Sequence, residues 1–153
     1  MVDVTSLQAY LRIRPRLGGK EPSSAPYLEP LSDTSVRMTD PNNDPNNPSR
    51  VRYRISAISP SSLYTFSHIF PSTTQQSDFF AKTTLPLVRD LLNGQNALLF
   101  TYGVTNSGKT YTIQGSTRDG SAGILPRTLD VIFNSVEGLH SDGRVIHIAI
   151  PYT

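Results

Sequence analysis

Gly103-Val104-Thr105-Asn106-Ser107-Gly108-Lys109-Thr110 decides the reading of this chain. Its G-x-x-x-x-G-K-T spacing is that of a phosphate-binding loop, a pattern with that meaning only between a strand and a helix. Ahead of it stands Ala97-Leu98-Leu99-Phe100, an apolar run that reads as a short buried strand. Behind it stands Tyr111-Thr112-Ile113-Gln114, where a helix can begin. The alternative is an ordinary glycine-containing turn, which would carry this pattern by chance in fewer than about one in a hundred chains of this length.

The residue types explain the chemistry. Gly103 and Gly108 allow backbone conformations that a Cβ disfavours, so that successive N–H groups turn inward and form an anion cradle. The positive end of the following helix adds to that field. Lys109 suits the β- and γ-phosphates, and the Thr110 hydroxyl suits Mg2+. The ligand class is a nucleoside triphosphate with magnesium, and the loop by itself does not select the base.

At 153 residues the chain has the length of about one domain. The hydrophobic share is 37% and the net charge +2, with a pI near 9.0. Arg12, Arg14 and Arg16 cluster, as do Arg50, Arg52 and Arg54, but neither run is dense enough to argue for nucleic acid. The second cluster also fits the solvated face of a strand. There is no cysteine, hence no disulfide framework or thiolate metal site. No stretch approaches the roughly 18 apolar residues of a membrane span, and no signal-peptide pattern opens the sequence. The expectation is a soluble intracellular protein without a membrane partner.

Residues 7–15 alternate well enough for a strand that Pro15 ends. Residues 16–35 read as loop with one short strand. Asp40-Pro41-Asn42-Asn43 repeats at once as Asp44-Pro45-Asn46-Asn47, and residues 40–49 read as a mobile surface loop with nothing apolar to bury. Across it, Arg50–Ala57 is a polar strand suited to pair with residues 35–39. Residues 64–70 alternate as one strand, with Tyr64, Phe66, His68 and Phe70 on one face. A hydrogen-bonded histidine on a sheet explains His68 better than a metal ligand does, since His140 and His147 are far off in sequence. Apolar residues from Gln75 to Leu92 recur at helical spacing and stop at Asn93-Gly94. Ser116–Gly123 is a Gly- and Ser-rich loop, Ile124–Val136 an amphipathic helix with Pro126 in its first turn, and 144–150 a last strand. Helix, strand, loop and helix in this order give an α/β fold with a mainly parallel sheet flanked by helices.

Four motifs in order then resemble one family. Arg12-Ile13-Arg14-Pro15 resembles the R-x-R-P motif that opens kinesin motor domains, and residues 64–70 resemble the family's second-strand segment. Residues 100–112 resemble its phosphate loop, and Gly123-Ile124-Leu125-Pro126-Arg127 resembles the start of its next helical piece. The match is strongest over 7–138, leaves 139–153 unassigned, and identifies residues 1–153 as the N-terminal part of a kinesin motor domain. The V-T-N-S-G wording resembles the mitotic kinesin-like branch.

The resemblance implies a P-loop NTPase-type fold and binding of ATP with Mg2+ by Gly103, Val104, Thr105, Asn106, Ser107, Gly108, Lys109 and Thr110. Arg12, Arg14 and Pro15 would flank the adenine and Tyr111 would pack on it, though plain packing also explains Tyr111. It implies tubulin, as microtubules, for a partner, dimerisation only in a full-length protein, and a place in the cytoplasm on the microtubule cytoskeleton and spindle midzone. The family's N-x-x-S-S-R-S-H and D-L-A-G-S-E switch segments occur nowhere in the sequence. No catalytic residue is therefore assigned, and the expectation is a truncated motor domain inactive alone. A non-catalytic nucleotide-binding or interaction fragment is the second reading. A small kinase is the third, and it leaves the R-x-R-P strand unexplained.

Replacing residues 40–49 by a short Gly-containing turn should leave the melting temperature and nucleotide affinity nearly unchanged. Loop closure changes by only about 0.6 kcal/mol per doubling of length. A large drop in calorimetric stability would show that the repeat packs on the fold.

Overall fold

Pro15 cannot donate to a ladder, and strand β1 (Tyr10–Arg12) ends before it. The computed structural model describes residues 7–15, 28–39, 61–116 and 121–141. These belong to two units, Met1–Thr73 and Thr74–Thr153. In the first, β1 pairs in parallel with β5 (His68–Phe70), Tyr10 opposite His68 and Arg12 opposite Phe70. Residues two apart share a sheet face, which brings the His68 ring edge-on to Phe70 at 4.7 Å and the Tyr10 ring to 6.0 Å from Phe70. His68 is thus a packed sheet residue. Among the described residues no group of three or more metal-ligating side chains forms.

Strands β2 (Leu28–Pro30), β3 (Ser35–Thr39) and β4 (Ser61–Thr65) form an antiparallel sheet in the order β2-β3-β4. The turn between the first two is closed by Ser32, whose Oγ accepts from the backbone N–H groups of Thr34 and Ser35. Val36, opposite Pro30 and Tyr64, is fully buried.

This pairing corrects two expectations. Residues 35–39 do not pair with Arg50–Ala57, because β2 holds one edge of β3 and Ser61–Thr65 holds the other. Residues 64–70 are not one strand either. The Phe66 N–H donates to Thr34 O and the Ser67 N–H to Ala9 O, while Ser67 Oγ accepts from the Ala9 N–H. These bonds turn the chain from one sheet into the other, leaving Tyr64 exposed and Phe70 buried. Residues 16–27, 40–60 and 142–153 lie outside the described residues, and with them the Asp-Pro-Asn-Asn repeat and the expected strands 50–57 and 144–150.

The second unit holds helices α1 (Gln76–Thr83), α2 (Leu85–Leu92), α3 (Lys109–Ile113) and α4 (Ile124–Ser141). Phe79, Phe80, Val88, Ile124 and Ile132 are buried where α1 and α2 meet α4. The sequence pattern predicts one helix from Gln75 to Leu92, and two are found. Pro86 has no N–H for the Lys82 carbonyl and disfavours helical geometry in the residue before it. It is tolerated in the first turn of α2, where that N–H would be unpaired anyway. The helix stops at Asn93-Gly94 as expected, with Gly94 at φ 82° and the Gln95 N–H returning to Asp90 O. Helix α4 starts at Ile124 with Pro126 in its first turn and runs five residues past Val136.

A fourth correction concerns the approach to the phosphate loop. Residues 97–102 form no strand, and among the described residues nothing pairs with them. Leu98, Phe100 and Tyr102 are exposed instead of buried. An apolar run becomes a buried strand only with neighbours on its edges and faces.

The backbone crosses itself where α3 passes to α4. The Ser116 N–H donates to Ser121 O, the Gly123 N–H to Gln114 O, and Gly115 bridges Ala122. A Cβ on Gly115, at φ +86°, would lie 2.1 Å from Ser121 O, whereas one on Gly94 meets nothing within 4 Å. Gly94→Ala should therefore cost only the roughly 1–2 kcal/mol of left-handed strain. Gly115→Ala should add overpacking, about 2–5 kcal/mol together. Urea unfolding of both variants checks this, and equal losses would refute the crossing as the cause.

Candidate nucleotide-binding site

The loop 103–108 takes positive φ at three residues, with Gly103 at φ 155°. Asn106 sits at φ 64° and Gly108 at φ 104°. Left-handed residues between right-handed ones turn neighbouring N–H groups toward a common side, the arrangement that makes an anion-binding concavity. Asn tolerates this region better than most side chains. Glycine suits position 103 by its φ, and a Cβ there would also stand 2.6 Å from Ser107 Oγ and require that side chain to shift. The Ser107 N–H closes the loop onto Val104 O at 3.2 Å.

Gly108 is the N-cap of α3, whose first residue is Lys109. The Lys109 side chain folds back over the loop, and its Nζ donates to Gly103 O and Val104 O, both at 2.8 Å. An ammonium carries three donors, so two hold the loop and a third remains for an anion. Thr110 follows and is exposed. Helix α3 is five residues long, little more than one turn. The macrodipole invoked from the sequence is correspondingly small, which leaves the loop amides and Lys109 as the groups an anion would meet.

Tyr111 comes third in α3. Its ring is partly exposed, while its carbonyl accepts a hydrogen bond of 2.6 Å from Nε2 of Gln76. Gln76 is buried and belongs to the first turn of α1, 35 residues earlier. Sequence reasoning missed it, because a glutamine opening an amphipathic helix carries no signal of burial. Downstream, Nε of Arg127 donates to Ala122 O and secures the loop that returns to α4.

The structure thus brings Gly103, Val104, Thr105, Asn106, Ser107, Gly108, Lys109, Thr110 and Tyr111 together on one loop and one short helix. Arg12, Arg14 and Pro15 belong to the first unit, at and just beyond the end of β1, with Arg14 and Pro15 exposed.

Comparison with known proteins places this geometry. A family model for the kinesin motor domain matches residues 12–153. This chain belongs to the kinesin motor-domain family. Kinesin-like protein KIF20A of Bos taurus is 59% identical over 75 residues, covering 49% of the chain and 8% of the relative. Kinesin-like protein KIF23 of Mus musculus is 39% identical over 127 residues, covering 83% and 12%. A solved "kinesin 6" chain superposes with a TM-score of 0.62 at 35% identity, covering 83% of this chain and 28% of that one. The chain therefore spans about a tenth of the curated relatives and under a third of that solved motor. The α/β class and the P-loop motor architecture expected from the sequence hold. No helix among the described residues is long and apolar enough to cross a membrane.

Proposed function

We propose that this kinesin-family chain binds Mg-ATP through residues 103–110 and contributes the phosphate-binding part of a microtubule-based motor. The observation that carries the reading is the loop itself: positive φ at residues 103, 106 and 108, and a lysine ammonium held across the loop carbonyls. A triphosphate fits that donor set. The loop amides and Lys109 would hold the β- and γ-phosphates, and Thr110 would offer its hydroxyl to magnesium. Bound magnesium would neutralise charge between these phosphates. It keeps most of its ligands as water and phosphate oxygen, so a single protein hydroxyl suffices.

Tyr111 is proposed to stack on the base, with Arg12, Arg14 and Pro15 on the adenine side, which makes ATP the favoured nucleotide over GTP. The grouping of these residues with the loop is part of the proposal and rests on the family's motif. The microtubule as partner is supported by family membership and by a solved relative, 26% identical at a TM-score of 0.65, described in "Structure of a fast kinesin: Implications for ATPase mechanism and interactions with microtubules". A cytoskeletal location, with the spindle midzone as the site of the mitotic branch, belongs to the same proposal, as does dimerisation in a full-length protein.

Calorimetric titration tests the binding site. Lys109→Ala should abolish detectable Mg-ATP binding, because the substitution removes the charge and also releases the loop carbonyls it bridges. Unchanged affinity in a folded variant would refute the loop as the site.

Turnover is a separate matter. Hydrolysis in this class needs a positioned water, a γ-phosphate sensor and support for magnesium beyond the loop, and neither switch motif occurs in the sequence. Residues 1–153 alone should show no microtubule-stimulated phosphate release, whereas a form carrying both switches should show it. Clear stimulation of the short form by polymerised tubulin would support a complete catalytic apparatus within it.

A further inference from the structure

We propose that Gln76 is a positioning residue for base selection, holding Tyr111 in the orientation from which its ring meets the nucleotide. The proposal rests on the reading of Tyr111 as the base-contacting residue. A helix leaves its last four carbonyls without intrahelical donors, and in the five-residue α3 the Tyr111 carbonyl is among them. Gln76 supplies the donor at 2.6 Å. The Gln76 side chain cannot drift, because the residue is only 4% exposed and its own helix packs against α2 and α4.

The bond has a directional consequence. It lands on the backbone of a residue that is 42% exposed, and that backbone sets the Cα–Cβ vector from which the ring extends in its staggered rotamers. Lys109 and Thr110 are placed independently, by the loop and by the bonds to Gly103 O and Val104 O. Loss of the Gln76 amide should therefore disturb what Tyr111 recognises and spare what Lys109 recognises. Position 76 would act on ATP and not on inorganic triphosphate.

The test is titration of the full chain with Mg-ATP and with magnesium tripolyphosphate. Gln76→Met keeps length and removes the donor, and Gln76→Glu keeps size and removes the donor at neutral pH. Each should weaken ATP by roughly 2- to 12-fold, the range of one hydrogen bond, and leave tripolyphosphate within about 2-fold. Tyr111→Ala should weaken ATP by roughly 5- to 150-fold, the range of one stacking contact. In the Tyr111→Ala background, Gln76→Met should make no further difference to the ratio of the two affinities. A purely structural role would not produce that silence. An unchanged ratio in both Gln76 variants overturns the proposal, as does equal loss of both ligands, which would make Gln76 a residue that merely holds the fold. A Gln76 effect that persists without the Tyr111 ring overturns it too. Lys109→Ala separates the two levels. If that variant keeps both ligands, the phosphate-loop reading fails; if it loses both while the Gln76 ratio stays flat, only the positioning role fails.

Discussion

The rest of the second unit depends on how the backbone turns between Gly103 and Lys109. Two left-handed residues, Asn106 and Gly108, let the chain enter a helix at Lys109 directly from a tight loop. That entry places the base of the lysine close enough for its ammonium to reach back to the carbonyls of residues 103 and 104. The charge proposed to hold phosphate is then also the clasp of the loop. A neutral side chain at 109 would lose the charge and the clasp together.

The local features were legible in the sequence. The glycines, lysine and threonine of the loop announced themselves by spacing, the stop at Asn93-Gly94 by residue type, and α4 by periodicity with Pro126 where a helix accepts it. What failed was non-local. Alternation across 64–70 continues through Phe66 and Ser67, but hydrogen bonds to Thr34 and Ala9, far away in the chain, divide it between two sheets. Residues 35–39 were expected to pair with Arg50–Ala57, whereas Leu28–Pro30 and Ser61–Thr65 occupy the two edges. In the site, the lysine's bonds to the loop carbonyls and the burial of Gln76 left no mark in the sequence, since both partners are backbone carbonyls that any residue would have supplied.

Residues 97–102 show why hydrophobicity alone does not make a strand. Leu98, Phe100 and Tyr102 occupy alternate positions and are all exposed, with Leu99 half-buried between them. Period-two alternation normally separates a wet face from a dry one, and here the apolar side chains lie on the wet one. Strand pairing removes N–H and C=O groups from water in pairs, and an apolar segment lacking a partner cannot bury its backbone polar groups without leaving them unsatisfied. Exposure of the side chains is the lesser cost. The same unpaired edge would favour association with other chains.

Helix α3 carries the proposed contacts to phosphate, magnesium and base on three consecutive residues, Lys109, Thr110 and Tyr111. Consecutive helical residues diverge by about 100°, so these side chains reach three parts of one ligand only if that ligand wraps around the helix start. A five-residue helix has no intrinsic claim to rigidity, because nucleation costs more than one turn returns. Its geometry has to be imposed from outside, and three constraints do so. The loop clasp fixes its beginning, the glycine crossing of residues 115 and 123 closes its end, and the Gln76 amide holds its middle from α1. The clasp acts at Lys109, the amide at Tyr111 and the crossing just past the helix end. A helix too short to stabilise itself is thereby free to be set by its surroundings, and the second unit's core residues, remote from any ligand, become part of how the site keeps its shape.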